Sequence, residues 1–174
     1  MLEKLGSPDR QLVEAAQRAS ARAYAPYSRF AVGAAARTHS GAIYLGANLE
    51  NASSGLTICA EAAALSAANA AGDFNIDAIA VVGFSFTSAA GAERVVAPCG
   101  SCRQLIAESA QLTDRDVRVI CCNGELSSIV VSTIRELLPN AFGPQNLEGA
   151  HHWPALREEL REFVERLIAA RKGR

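Results

Sequence analysis

The chain has 174 residues, 49% of them hydrophobic and 20% charged, ordinary values for a globular protein that fills one core without staples. Seventeen basic residues against eighteen acidic ones leave a net charge of −1, so there is no global electrostatic footprint for nucleic acid. Five cysteines, an odd number, argue against a disulfide framework and towards reduced thiols or metal ligands. The segment from Met1 to Arg10 carries charges where a signal peptide would need an apolar core, and no run approaches eighteen apolar residues. The expectation is a cytoplasmic chain with no membrane span.

In chain order, Ser7-Pro8-Asp9 reads as a helix start, with a capping hydroxyl, a proline at the first helical position and an acid near the positive dipole end. Leu12, Val13, Ala16, Ala19 and Ala23 then form one apolar stripe. Phe30 to Ala36 and Ile43 to Ala47 are short apolar runs separated by His39-Ser40-Gly41, which predicts a hairpin. Cys59 to Ala71 is rich in Ala, Glu and Leu and predicts a helix that stops at Gly72. Ile76 to Phe84 predicts a buried strand, and Cys99 to Ala110 a helix after Pro98. Val117 to Cys122 and Ile129 to Val131 predict two strands joined at an Asn123-Gly124 turn. Pro154 to Arg171 predicts an amphipathic helix with Leu156, Leu160, Phe163 and Leu167 along one side; Gly149 to His152 reads as a flexible joint. Helices alternating with strands after an opening hairpin imply an α/β fold, a mixed sheet covered on both faces.

Two segments carry chemistry. Cys99 and Cys102 lie three apart on one face of a helical turn, so both sulfurs can reach one ion, and Cys59 completes three protein ligands. Three ligands leave a fourth tetrahedral position for water, the mark of a catalytic rather than a structural zinc. Both helix starts present positive dipole ends that favour thiolates. Glu61, two residues beyond Cys59, is placed to exchange protons with that water, an arrangement used by zinc nucleobase deaminases. Cys121 and Cys122, adjacent in a strand, point to opposite faces and read as small buried hydrophobes.

Five motifs in order, Ala25-Pro26-Tyr27-Ser28-Arg29-Phe30-Ala31-Val32-Gly33-Ala34-Ala35, Asn48-Leu49-Glu50-Asn51-Ala52-Ser53, Cys59-Ala60-Glu61, Pro98-Cys99-Gly100-Ser101-Cys102-Arg103-Gln104 and Leu137-Leu138-Pro139-Asn140-Ala141-Phe142-Gly143-Pro144, resemble the homotetrameric cytidine deaminases. The resemblance implies a three-layer α/β/α fold on a five-stranded sheet, and Zn2+ on Cys59, Cys99 and Cys102 with Glu61 as proton shuttle. By the same carry-over Asn48 and Glu50 bind ribose hydroxyls and Phe30 packs against the base. Asn51, Ala52, Ser53 and Ala60 line the nucleoside pocket, and Phe142 approaches a neighbouring subunit's site. The implied reaction is hydrolytic deamination of cytidine or deoxycytidine to the uridine counterpart plus ammonia, in pyrimidine salvage, with water as second substrate.

Two positions depart from the family pattern: Ala62 where Cys-ligand members commonly have Arg, and Ser54 where many have Tyr. Arg103 and the helix dipoles are then the compensation for thiolate charge. Blasticidin-S deaminases also lack that Arg, so a modified cytosine nucleoside is an alternative substrate. A non-catalytic, zinc-stabilised binding module is a third reading, which Glu61 and the fourth coordination position argue against. The expected organisation is a deaminase domain over residues 1–148 and a helical extension over 149–174.

Overall fold

Short apolar runs alternating with helices build a five-stranded sheet in this computed structural model, which describes residues 2–87, 94–147 and 153–172. The joint expected at Gly149 to His152 lies outside the described residues. Helix α1 (Ser7–Ser20) is followed by strands β1 (Phe30–Thr38) and β2 (Ile43–Ala47), helix α2 (Ala60–Ala70), strand β3 (Ile76–Ser85) and helix α3 (Gly100–Leu112). Strands β4 (Arg118–Asn123) and β5 (Ile129–Thr133), a single turn α4 (Ile134–Leu137) and helix α5 (Trp153–Lys172) complete the order. The sheet runs β2-β1-β3-β4-β5, with β3 and β4 parallel and the other pairs antiparallel. The chain divides into two units, Met1–Ala141 and Phe142–Arg174; the sheet, α1 to α4 and both cores belong to the first.

Each face of the sheet is closed by helices whose small apolar residues recur every three or four positions. On one face, Leu12, Val13 and Ala16 of α1 pack against Ala35, Ala80, Val82 and Ile120. On the other, Ala64, Leu65 and Ala68 of α2 and Ile106 and Ala110 of α3 pack against Ala34, Ile79 and Val119. Cys121 belongs to the α2/α3 side and Cys122 to the α1 side, as alternation along β4 requires. Small residues set how closely these layers meet. A Cβ on Gly33 would lie 2.1 Å from the Ala16 carbonyl oxygen, and one on Gly46 would lie 2.1 Å from that of Ala60, so helix backbone rests directly on strand backbone at both places.

At its rim the sheet is tied by charge. Arg37 on β1 donates to Asp77 on β3 at 2.9 and 2.7 Å and to Asp9 of α1 at 3.0 Å, while Arg118 on β4 meets the other oxygen of Asp9 at 2.9 Å.

Three local expectations are corrected. Ser7 is the first helical residue, and Gly6 occupies the cap without a side-chain bond. Helix α1 ends at Ser20, so Ala23 lies past its end in the turn. Asn123 is the last residue of β4 rather than a turn corner: its Oδ1 accepts from the Ser128 N–H at 2.9 Å, and Leu126 takes the left-handed conformation at φ 57°. The connection is therefore longer than a two-residue hairpin. The turn α4 adds an element that the apolar pattern does not announce, although Thr133 and Glu136 form a reciprocal capping box at its start.

Candidate metal and nucleoside site

Cys59 caps the N-terminus of α2 and Cys99 that of α3, while Cys102 occupies the first turn of α3 and is buried. The three sulfurs lie within 4.8 Å of one another, with Cys59 Sγ and Cys99 Sγ 3.8 Å apart. Donors set tetrahedrally about 2.3 Å from a zinc ion stand roughly 3.8 Å from each other, so this trio already has the spacing of three zinc ligands. Soft thiolates without an accompanying carboxylate ligand select zinc over calcium or magnesium.

Burial and mutual charge act against ionisation at two of the three thiols and at the neighbouring carboxyl. Burial pushes the Cys59 and Cys102 thiols up, and the Glu61 charge raises both further. Burial acts the same way on Cys99, but hydrogen bonds from the Cys102 N–H, from the Cys102 and Cys59 thiols and from the Ser101 N–H outweigh it and hold that thiol below its ordinary value. Glu61, only 4% exposed at the start of α2, has its carboxyl raised by burial, against hydrogen bonds from its own N–H and from the Cys102 thiol. A divalent ion at the centre of the sulfurs reverses this balance and holds them ionised.

Backbone bridges bring the expected nucleoside residues to the same place. Leu49 is bonded in both directions to Ile58, the residue before Cys59, at 2.9 Å each way. Tyr24 bonds Asn48 and Glu50 on either side of Leu49. Asn48 locks β1: its Oδ1 accepts from the Val32 N–H at 2.9 Å and its Nδ2 donates to the Phe30 carbonyl at 3.0 Å. The Glu50 carboxylate accepts the Tyr27 N–H at 2.9 Å and the Ser28 N–H at 3.3 Å. Its carboxyl is held below the usual range, first by the Ser28 side chain and then, against partial burial, by those two N–H groups. The half-buried Phe30 ring stands over Gly83 of β3, where a Cβ would meet it at 3.0 Å.

Asn51, Ala52 and Ser53 form an exposed turn in which Asn51 Oδ1 accepts the Ser53 N–H. Ala60 is fully buried against Gly46. Arg103 directs Nε to the Pro98 carbonyl at 2.9 Å and an Nη to the Leu137 carbonyl at 3.1 Å, bracing the loop that delivers Cys99. Ala62 heads a shallow groove between α2 and α3 with Leu65, Ser66, Asn69, Phe74 and Leu105. Phe142 opens the second unit and is largely exposed. Gly46 and the Tyr27 and Ser28 N–H groups are not legible in the sequence, since neither a close approach nor a backbone donor leaves a mark in side-chain type.

The model of the cytidine and deoxycytidylate deaminase zinc-binding region matches residues 7–121. The chain belongs to this family. It is 46% identical over 142 residues to a cytidine deaminase of Halalkalibacterium halodurans, covering 80% of this chain and 98% of that one. A cytidine deaminase of Mycobacterium tuberculosis is 41% identical over 76% of this chain and 87% of its own length. The crystal structure of cytidine deaminase from Burkholderia pseudomallei is 42% identical, covers 76% of this chain and 97% of that chain, and superposes with a TM-score of 0.65. The α/β deaminase fold expected from the sequence is therefore the one present, and this family member is a zinc-dependent hydrolytic enzyme. No described helix is long and apolar enough to cross a membrane.

Proposed function

We propose that the chain hydrolyses the exocyclic C4–N bond of cytidine and deoxycytidine, giving uridine or deoxyuridine and ammonia. One observation carries this reading: a buried carboxyl, Glu61, stands two residues from Cys59 and accepts a hydrogen bond from the Cys102 thiol of a three-sulfur cluster. Cys59, Cys99 and Cys102 hold the zinc. Zinc, when bound, makes water acidic enough to act as a nucleophile near neutral pH. Glu61 accepts the proton released as water adds to C4, delivers it to N3, and carries a second proton to the departing amino group. Burial favours this role, because a carboxyl raised towards neutrality both takes and returns protons readily.

Substrate is held by the groups gathered around β1. Asn48 and Glu50 bind ribose hydroxyls, Phe30 packs on the base, and Asn51, Ala52, Ser53 and Ala60 complete the wall. Arg103 supports the thiolates through the Pro98 loop. The deaminase domain spans residues 1–148 and the extension 149–174.

The working form is a homotetramer in the cytoplasm serving pyrimidine salvage, with Phe142 reaching a neighbour's pocket. Exposed Tyr24, Leu49, Leu56 and Ile58 beside the site support a subunit cover there. Ammonia release from zinc-loaded protein, offered cytidine, deoxycytidine, cytosine, CMP, adenosine and blasticidin S, tests the reading. Turnover of cytidine and deoxycytidine is expected, and no release from either would overturn it. Loss of apparent nucleoside affinity in Phe142→Ala, with the subunit still folded, is the expected sign of a shared site.

A further inference from the structure

Helix α5 lies beyond the residues matched by the family model. Trp153, Leu156, Leu160, Phe163, Leu167 and Ala170 recur at alternating spacings of three and four, the a and d positions of a heptad. Each of the five large side chains among them is between 42% and 53% exposed, and one helix cannot cover its own seam. On the far side Arg161 pairs with Glu158 one turn away, and that side carries a single large apolar residue, the exposed Ile168. The positions flanking the seam are Glu159 and Arg166 on one edge and Arg157, Val164 and Arg171 on the other.

From this pattern, and independently of the substrate reading, we infer that α5 docks antiparallel on the α5 of a second copy of this chain. In that orientation Leu156 faces Leu167, Leu160 faces Phe163 and the bulky Trp153 faces the small Ala170. The layers then repeat in reverse along about 30 Å of helix. Glu159 of each copy meets Arg166 of the other, so the same edge supplies two opposite-charge pairs related by a two-fold axis. Parallel pairing would instead set Arg166 against Arg171 of the second copy, a like-charge contact. Antiparallel pairing also places each dipole's positive end beside the other's negative end. The seam is thus complementary to itself in one orientation and not in the other.

Disulfide trapping in the full-length protein tests this. Leu156→Cys/Leu167→Cys places two thiols opposite each other across an antiparallel seam. Within one helix they stand eleven residues, roughly 16 Å, apart, too far to bridge. Oxidised glutathione should convert most of the double variant to a covalent dimer, with tryptic peptides joined from position 156 to 167. Each single variant should remain monomeric on denaturing gels. Dimers of equal yield in the single variants would mean parallel pairing and overturn the orientation. No linked peptide in a double variant that retains native helicity by circular dichroism would overturn self-docking altogether. Should the double variant lose that helicity, Trp153→Cys/Ala170→Cys carries the same test at the end of the seam: a peptide joined from position 153 to 170 supports antiparallel docking, and its absence overturns it.

Discussion

The Cα of Gly46 lies so close beneath the Ala60 carbonyl that a methyl group added there would come within 2.1 Å of the oxygen and 2.5 Å of the Ala64 nitrogen. Both neighbours are helix backbone and cannot turn aside. Helix α2, which begins beside Cys59 and carries Glu61, is therefore seated by the absence of a side chain on β2.

Gly46→Ala should lift the start of α2 and cost on the order of 3 kcal/mol, at the upper end of what overpacking does. Zinc content should fall with thermal stability, since Cys59 moves with the helix. Gly55→Ala, where nothing lies within 4 Å, is the control and should change neither. Retention of full zinc and an unaltered Tm in Gly46→Ala would show that the layers can part without consequence.

Separating ligand from proton carrier gives a second expectation. Cys99→Ser or Cys102→Ser should lose zinc on purification, as read by metal analysis. Glu61→Gln keeps shape and hydrogen bonding, so zinc should remain while turnover falls by about 10²- to 10⁴-fold. Undiminished ammonia release in Glu61→Gln would remove the carboxyl from the chemistry.

Asn48 ties β1 in place and is proposed to bind ribose, and its variants separate the two roles. Asn48→Ala strips the Val32 N–H and the Phe30 carbonyl of their partner, which should cost about 1–2 kcal/mol in chemical denaturation. If Asn48 also binds ribose, KM for cytidine should rise at temperatures well below the unfolding transition. A lower stability with unchanged KM would leave it a purely architectural residue.

The rim network predicts a stability effect without a chemical one. Arg37→Met breaks three hydrogen bonds to Asp9 and Asp77. Asp77 is 45% exposed and its share is screened by solvent, so the expected cost is about 1–2 kcal/mol. Zinc content and kcat should stay as they are. A drop in kcat at full zinc loading would connect the rim to the site.

The sequence makes legible whatever a short stretch of chain determines. Cys99 and Cys102 share a helical turn, Cys59-Ala60-Glu61 puts a thiol and an acid side by side, and Cys121 and Cys122 alternate across a strand; each follows from local periodicity. The seating of α2 on Gly46 and the capture of Glu50 by the Tyr27 N–H depend on segments 14 to 23 residues apart, and no local pattern encodes them. The Asn123-Gly124 pair departs from its expected hairpin corner for a different reason: the Asn side chain prefers the Ser128 N–H to a left-handed corner, and only the tertiary register of β4 and β5 decides between the two. Helix α4 is the case where a signal is present, in Thr133 and Glu136, but a single turn gives the apolar period no room to show.

The three sulfurs come from two helices that start at separate points of the chain, forty residues apart. An ion bound there is a fastener between α2 and α3 as well as a chemical agent, and its binding energy adds to that of folding. A newly made chain that finds no zinc holds the two helix starts together only by weak thiol contacts, and opens more often to proteases. The abundance of the protein, and not only its specific activity, should therefore rise and fall with the cell's zinc supply.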